Sequence, residues 1–346
     1  MILDALSPTH QPAAIAQAAS VLRAGGLVAF PTETVYGLGA DATNDRAVAG
    51  IFKAKGRPSD HPLIVHIAAG DAANPARLND ALSRFAEPLP AFAQKLVDAF
   101  WPGPLTLILT RQPGVGAASA GGHNTIGLRC PAHPVAQALL AACAALGVPG
   151  VAGPSANRFG RVSPTTAAHV QQEFGDSVPV LDGGACQVGI ESTIVDCSRG
   201  APVLLRPGAI SRAQIEAACG EALRTREQLA QPDPRASGTL AAHYAPNARL
   251  RLMDAAALQA ALDVLGPDVP DSVAPVIAVW SRALLRSPSR RIVLQRMPDD
   301  ASTAAQQLFA VLRRFDDQGV KLIWVETPPV SPDWEGVRDR LQRAAT

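Results

Sequence analysis

Lysine is scarce in this 346-residue chain: there are four, at positions 53, 55, 95 and 321, and arginine carries the rest of the positive charge. Tyrosine occurs twice, and aromatic residues make up 4 %. No sign of charge is in excess. Lys+Arg is 31 and Asp+Glu is 30, for a net charge of +1. Up to residue 210 there are 14 basic and 14 acidic residues, and beyond it 17 and 16. A strongly basic nucleic-acid coat is thereby excluded, although a local basic cleft is not. The five cysteines are odd in number and none is spaced C-x-x-C, which argues against a disulfide scaffold or a Cys-rich zinc site. No uncharged apolar run approaches the ~18 residues of a membrane span. The start, Met1 to Ala5, has no basic segment ahead of an apolar core, so no signal peptide is read. A soluble cytoplasmic protein is the expectation.

Known nucleotide and metal motifs are missing too. There is no G-x-x-x-x-G-K-[ST] and no G-x-G-x-x-G, so ATP, if bound, lies in a cleft of side chains. Gly114, Gly116, Gly121 and Gly122 read as a flexible loop. The seven histidines form no His-Glu-x-x-His and no tight His/Cys cluster, so a protein zinc site is not supported. No repeat of 20–50 residues is visible.

What is present suffices for ordinary buried cores: 47 % of residues are hydrophobic and 18 % charged, and the length suits about two domains. Apolar spacing predicts helices over Pro12–Ala24, Asp45–Ala54, Leu89–Phe100 and Ala132–Leu146. Strands are predicted at Leu27–Phe30, Leu63–Ile67, Leu105–Thr110 and Thr125–Arg129, near Val151, and at Val178–Leu181, Thr193–Asp196 and Val203–Leu205. That interleaving argues for an α/β domain with a mixed sheet over 1–210. A helix over Arg212–Ala218 and the Pro-, Gly- and Ser-rich stretch 231–238 form a linker region, 211–247. Over 248–346 strands and helices alternate as in a small doubly wound α/β domain with a parallel sheet.

Several polar clusters follow predicted strands, where α/β proteins bind ligands. In Lys53-Ala54-Lys55-Gly56-Arg57-Pro58, compact ammonium groups suit a phosphate or carboxylate; a solvated helix C-terminus is the plainer reading. Pro31 to Gly39 gathers hydroxyls, a carboxylate and a phenol in a strand-end loop; an ordinary hydroxyl turn with Tyr36 packed inward is the alternative. Ser155 and Asn157 follow Val151-Ala152-Gly153-Pro154, where small residues permit close backbone approach, or simply cap a turn. Thr125 and Arg129 share one face of a strand, and Arg129 could clamp a carboxylate. Arg206 offers a second guanidinium. Either arginine could equally be a surface ion pair. His66, in an apolar strand, reads by itself as a core histidine.

Taken in order, Gly26–Asp41, Lys55-Gly56-Arg57-Pro58, Pro62-Leu63, Trp101 to Thr106, Arg129-Cys130-Pro131, Pro154 to Asn157, Glu191-Ser192-Thr193 and Leu205 to Gly208 resemble the YrdC-like threonylcarbamoyl-AMP synthases. His243-Tyr244-Ala245-Pro246 and the last domain resemble the family's longer, two-domain form. The resemblance implies a YrdC-like mixed twisted sheet with a ligand cleft, and a smaller Rossmann-like C-terminal domain. It implies a nucleotidyltransferase that converts L-threonine, bicarbonate and ATP to L-threonylcarbamoyladenylate and pyrophosphate. The product feeds a separate tRNA threonylcarbamoyl-transferase complex, with tRNA contact weak or indirect and no membrane partner.

By the same resemblance Thr34, His66, Arg129, Ser192 and Thr193 hold threonine. Arg57, His61, Thr125, Ser155, Asn157, Ser163, Arg206 and Tyr244 hold ATP. Lys55 and Arg57 carry the catalytic charge, with Mg2+ arriving with the nucleotide. No residue stands out as a general base, so positioning and charge stabilisation are expected to dominate. His61 departs from the family, which has Asn there, and a His at that place suggests activity that varies between about pH 6 and 7. Tyr244, in the linker, is expected to close over ATP as a lid. Two other readings are an RNA-binding module without adenylate synthesis and a carbamoyl-phosphate-dependent carbamoyltransferase. Near-zero charge and few aromatics disfavour the first. The absence of visible zinc-finger and acylphosphatase-like regions disfavours the second.

Overall fold

The computed structural model describes residues 1–71, 74, 76–225, 228, 244–265, 276–287 and 289–345. The predicted linker stretch 231–238 and His243 lie outside them. The chain divides into two compact units, Met1–Phe159 with Ser163–Thr239, and Gly160–Val162 with Leu240–Thr346.

The first unit is built on one mixed sheet. Its strands are β1 (Ile2–Asp4), β2 (Val28–Phe30), β3 (Gly37–Asp41), β4 (Ile64–His66), β5 (Leu105–Thr110), β6 (Thr125–Arg129), β7 (Val151–Ala152), β8 (Val180–Asp182), β9 (Thr193–Asp196) and β10 (Val203–Arg206). They are ordered β1-β8-β2-β3-β7-β4-β6-β5-β9-β10. Pairing is parallel for β1/β8, β8/β2, β4/β6 and β5/β9 and antiparallel elsewhere. The helices are α1 (Gln11–Arg23), α2 (Asp45–Lys55), α3 (Arg77–Phe85), α4 (Ala91–Phe100), α5 (Pro134–Ala145), α6 (Ala167–Phe174) and α7 (Arg212–Cys219).

Alternation along the strands sorts side chains onto two faces. Leu38, Ala40, Val65, Leu105, Leu107, Ile126, Leu128 and Val195 join one core with residues of α2, α3, α4, α6 and α7. The opposite face is divided. Over β1, β8 and β2 it is covered by α1 and α5, through Ile15, Leu22, Leu139 and Leu140. Truncating a fully buried leucine such as Leu139 would cost about 2–5 kcal/mol. Over β4, β5, β9 and β10 the apolar cluster is Ile64, Ile194, Val203 and Leu205 with Ile108, and among the described residues no helix residue joins it. A polar strip separates these halves.

Two sequence expectations need correcting. The stretch Pro31–Gly39 was expected to be loop throughout, but Gly37–Asp41 is a strand. Two glycines weaken its strand signal, yet this place requires them: a Cβ on Gly37 would lie 3.0 Å from the Phe30 ring and one on Gly39 would lie 2.9 Å from Val151. The Gly114–Gly122 stretch is wound into hydrogen-bonded turns around the buried Ser119 and Ala120, and all four of its glycines have positive φ. Strands β1 and β3 and helices α3 and α6 were missing from the sequence prediction.

The second unit holds a parallel sheet in the order β11 (Arg249–Met253), β14 (Leu322–Glu326), β12 (Ile277–Ser281), β13 (Ile292–Arg296). Its helices are α8 (Ala255–Leu265), α9 (Ala301–Asp317) and α10 (Glu335–Ala344). Leu258 and Leu262 of α8 pack on Ile277, Val279 and Trp324. Ala278, Trp280, Ile323 and Val325, on the other face, are equally buried, and α10 packs on β11 and α9. Burial on both faces explains the continuous apolar runs that made these strands legible.

Candidate active site

The polar strip begins with Arg129, the last residue of β6. Its Cα partner on β4 is His66, so the two side chains share a face. The guanidinium is fanned between two loops. Its Nε donates to the Gly103 carbonyl at 3.3 Å and its Nη1 donates to Thr34 Oγ1 at 2.8 Å. Its Nη2 lies 2.8 Å from Glu33 Oε1, an ion pair outside hydrogen-bonding geometry. Thr34 has little freedom. Thr32 Oγ1 donates to the Val35 carbonyl at 2.6 Å, so the 2.8 Å contact between the two hydroxyls has Thr34 as donor. The loop after β2 thus aims Thr34 and Glu33 at Arg129.

His66 is buried, and its Nδ1 has no hydrogen-bond partner among the described residues. Burial, then the nearby Arg129 charge, pushes its pKa down to about 3, although the carbonyls of Val151 and Ile64 pull the other way. It is a neutral imidazole, and its ring centre lies 5.4 Å from that of Phe30, with the two rings nearly perpendicular.

The Gly103-Pro104 segment links this group to the next. The Pro104 carbonyl accepts from the Thr193 amide at 3.0 Å. Ser192 Oγ lies 2.7 Å from Thr106 Oγ1. Arg206 reaches back to Ser192, with Nε 3.1 Å and Nη2 3.0 Å from its carbonyl oxygen and Nη2 3.2 Å from its hydroxyl. A register shift between Leu204 and Arg206 turns the guanidinium that way. Thr193 Oγ1 donates to the Ile210 carbonyl at 3.0 Å and accepts from its amide at 3.2 Å, so it fastens the turn after β10.

A second group surrounds the end of α2. Gly56, at φ 64°, ends the helix and turns Arg57 away from its axis. Lys53 stays exposed at the helix end, whereas Lys55 is buried. Lys55 Nζ donates to the carbonyls of Ser155, at 2.5 Å, and Asn157. Burial and the Arg57 charge hold the Lys55 ammonium well below its ordinary pKa, with Glu173 opposing. Arg57 donates to the Pro62 carbonyl at 3.1 Å. His61, half-buried, stands edge-on to Phe159 at 5.7 Å. Ser163 Oγ donates to Glu191 Oε1 at 2.5 Å. A bridge between Gly37 and Ser155 joins this group to the loop after β2.

Thr125 and Arg129 mark the two ends of β6 on one face, about 13 Å apart at ~3.3 Å per residue. Tyr244 lies in the second unit. It is buried at φ 64°, its ring 5.4 Å from Phe309 and the Arg340 guanidinium 5.5 Å above it. Glu33, Thr106, Glu173 and Glu191 escaped the residue-by-residue sequence reading. Glu33 had one signal, a carboxylate inside a motif that is otherwise hydroxyl and apolar. Tyr36 follows its plainer reading: it is buried, and its hydroxyl donates to the Gly184 carbonyl at 2.8 Å. All five cysteines are buried free thiols, and burial pushes Cys130 and Cys143 up to about 12.

Two family models match the chain. One, described as telomere recombination, covers residues 20–208, and the other, described as threonylcarbamoyl-AMP synthase C-terminal domain, covers 210–346. Threonylcarbamoyl-AMP synthase of Bacillus subtilis is 39 % identical over 99 % of this chain and 96 % of its own length. The chain belongs to the threonylcarbamoyl-AMP synthase family. The family's synthase from Pyrococcus abyssi is 36 % identical over 95 % of this chain and 93 % of its own. The crystal structure of P. abyssi Sua5 complexed with L-threonine covers 100 % of this chain and 97 % of that one, with a TM-score of 0.84 and 34 % identity. The expected mixed sheet with a smaller parallel-sheet domain is the architecture of this synthase family member.

Proposed function

We propose that this synthase joins L-threonine, bicarbonate and ATP into L-threonylcarbamoyladenylate, releasing pyrophosphate, and so supplies the threonylcarbamoyl group for tRNA adenosines beside the anticodon. One observation carries the reading at the site. Glu33, Arg129 and His66 place an anion, a cation and a neutral ring nitrogen side by side in a buried strip, with hydrogen-bonding capacity unfilled. Buried polar groups are rarely left so unless a ligand completes them. Arg129 suits the substrate carboxylate, and the His66 Nδ1 suits the side-chain hydroxyl.

The threonine amine adds to bicarbonate-derived carbon, and the carbamate oxygen then attacks the α-phosphorus of ATP. Charge grows on the phosphoryl oxygens and on pyrophosphate. Arg57 and Arg206 would bind it, and Lys55 fixes the Ser155 and Asn157 backbone. His61, Thr125, Ser155, Asn157 and Ser163 complete the proposed nucleotide contacts, and Ser192 and Thr193 the threonine contacts. Among the described residues no trio of His, Cys, Asp or Glu is placed to hold a metal ion. A Mg2+ carried by the triphosphate would share the pyrophosphate charge. A separate transferase complex would consume the adenylate. No described helix is long and apolar enough to cross a membrane.

The deciding assay is pyrophosphate release from ATP and bicarbonate, with and without L-threonine, with the nucleotide product identified by chromatography. Threonine-dependent release with a new adenylate is expected. Turnover of carbamoyl phosphate instead, or salt-dependent tRNA binding without turnover, would replace the reading. Tyr244→Ala tests the lid: unchanged ATP affinity and product lifetime would remove it.

A further inference from the structure

Glu33 has no role in the contacts proposed so far, yet it is the most exceptional group in the strip. It is 6 % exposed, and neither carboxylate oxygen accepts a hydrogen bond from any of the described residues. The segment after β8 holds it from behind, since its main-chain carbonyl accepts from the Val188 amide at 2.7 Å. The charged and titratable groups around it are Arg129 at the end of β6, Cys130 after it, His133 at the start of α5 and Cys186 after β8. Arg129 alone among them is a full positive charge at 2.8 Å, and it is off the hydrogen-bonding direction. A purely structural buried ion pair would align its donors and acceptors, because an unaligned one leaves both ions poorly solvated.

We propose that Glu33 is a catalytic residue that receives the α-ammonium of threonine and takes its proton before carbamate formation. The inference rests on the synthase reading and extends it to an amine subsite. A free α-amino acid carries opposite charges two bonds apart, and Arg129 and Glu33 present the complementary pair. The amine is a nucleophile only when neutral. One N–H proton passes to a Glu33 oxygen, and the nitrogen lone pair becomes available. That lone pair forms the C–N bond to the bicarbonate carbon, a C–O bond breaks, and water leaves with the second nitrogen proton. The carbamate keeps the negative charge. The protonated Glu33 returns its proton to solvent after the product leaves.

The test uses full-length protein with Glu33→Gln, which keeps shape and volume. Threonine binding is measured by calorimetry in the presence of a non-hydrolysable ATP analogue, and kcat/KM for threonine is followed from pH 7 to 9.5. Glu33→Gln is expected to weaken threonine about 10- to 100-fold, the size of a lost charge-assisted hydrogen bond. It should leave the ATP analogue's affinity unchanged. Its activity should recover with rising pH as free threonine loses its own proton. Wild type should prefer threonine to 2,3-dihydroxybutyrate, which has a hydroxyl in place of the amine, and the variant should lose that preference. Glu33→Asp should restore part of the neutral-pH rate.

An activity loss that is the same at every pH, with the amine preference intact, would mean Glu33 only holds Arg129 and would overturn the proposal. So would unchanged threonine affinity in a folded variant. If wild type itself binds no threonine, the synthase reading fails rather than the Glu33 assignment alone. A variant that does not fold is replaced by Glu33→Asp, for which a neutral-pH rate and pH profile equal to wild type would count against the proposal.

Discussion

Lys55 Nζ donates to the backbone carbonyls of Ser155 and Asn157, so the lysine of one motif is tied to a loop 100 residues further along the chain. The contact makes Lys55 a clamp on the nucleotide loop as well as a charge. Its lowered pKa sets a test with a definite sign. Between that value and the ordinary 10.5, the unfolded chain binds more protons than the folded one, so stability rises with pH across that window. Lys55→Met keeps the stem and removes the titration. Denaturant midpoints taken from pH 7 to 9.5 should climb in wild type and climb less in the variant. Identical slopes would refute the burial argument.

Arg129→Lys separates charge from shape. The guanidinium meets Gly103, Thr34 and Glu33 from three nitrogens, and an ammonium cannot span them. Threonine kcat/KM should fall about 100-fold or more, while KM for ATP stays within about threefold. Steady-state kinetics with each substrate varied in turn would show it. An equal loss for both substrates would contradict the division of the site into an amino-acid end and a nucleotide end.

Part of the site's geometry was legible in residues alone, whereas its division between threonine and ATP came from the family resemblance. Thr125 and Arg129 were placed on one strand face by the period of two, and the structure keeps them there. The C-terminal sheet was readable because burial on both faces makes Ile277–Ser281 and Leu322–Glu326 continuously apolar. Strand β3 was hidden, since Gly37 and Gly39 serve the Phe30 ring beside them rather than strand propensity. Glu33 was hidden for another reason. Its partner is 96 positions away, and three strands stand between β2 and β6 in the sheet, so only the folded path of the loop after β2 brings the pair together. Long-range charge pairs leave no local trace in a sequence.

His66 gives a prediction in acid. Its folded pKa is about 3 against an ordinary 6.5, so the unfolded imidazole takes its proton first as pH falls. Stability should drop from about pH 6.5 downward, and His66→Asn should flatten that part of the profile. Activity should show no limb from His66 near neutrality, because the ring stays neutral there. A kinetic pKa near 6.5 that vanishes in His66→Asn would contradict the burial that defines this residue.

His61 is the place to look for a limb near neutrality. The imidazole there is half-buried and stands edge-on to Phe159. His61→Asn should flatten the dependence of kcat/KM for ATP between about pH 6 and 7, with KM for ATP changing less than about threefold. The measurement is the ATP saturation curve at each pH. An unchanged profile would show that His61 does not titrate against the nucleotide.

Gly208→Ala probes the turn that carries Arg206 and Thr193 together. A Cβ there would lie 2.4 Å from the Thr193 nitrogen, 2.7 Å from its Oγ1 and 2.8 Å from the Ser192 carbonyl carbon. Two of these neighbours are backbone and cannot rotate aside, so the strand end itself must move. Thr193 Oγ1 holds the Ile210 amide and carbonyl, and Arg206 holds the Ser192 carbonyl, so the displacement reaches Ser192, Thr193 and Arg206 together. Overpacking of this kind costs about 1–3 kcal/mol of stability. The kinetic effect should exceed what that loss of folded protein explains, because a shift of ~1 Å at positioned groups can cost ~100-fold in rate. Thermal unfolding and single-turnover adenylate formation on the folded fraction would be compared. A variant that loses stability but keeps its single-turnover rate would show that Ser192 and Arg206 tolerate movement, and that the close approach at Gly208 serves folding alone.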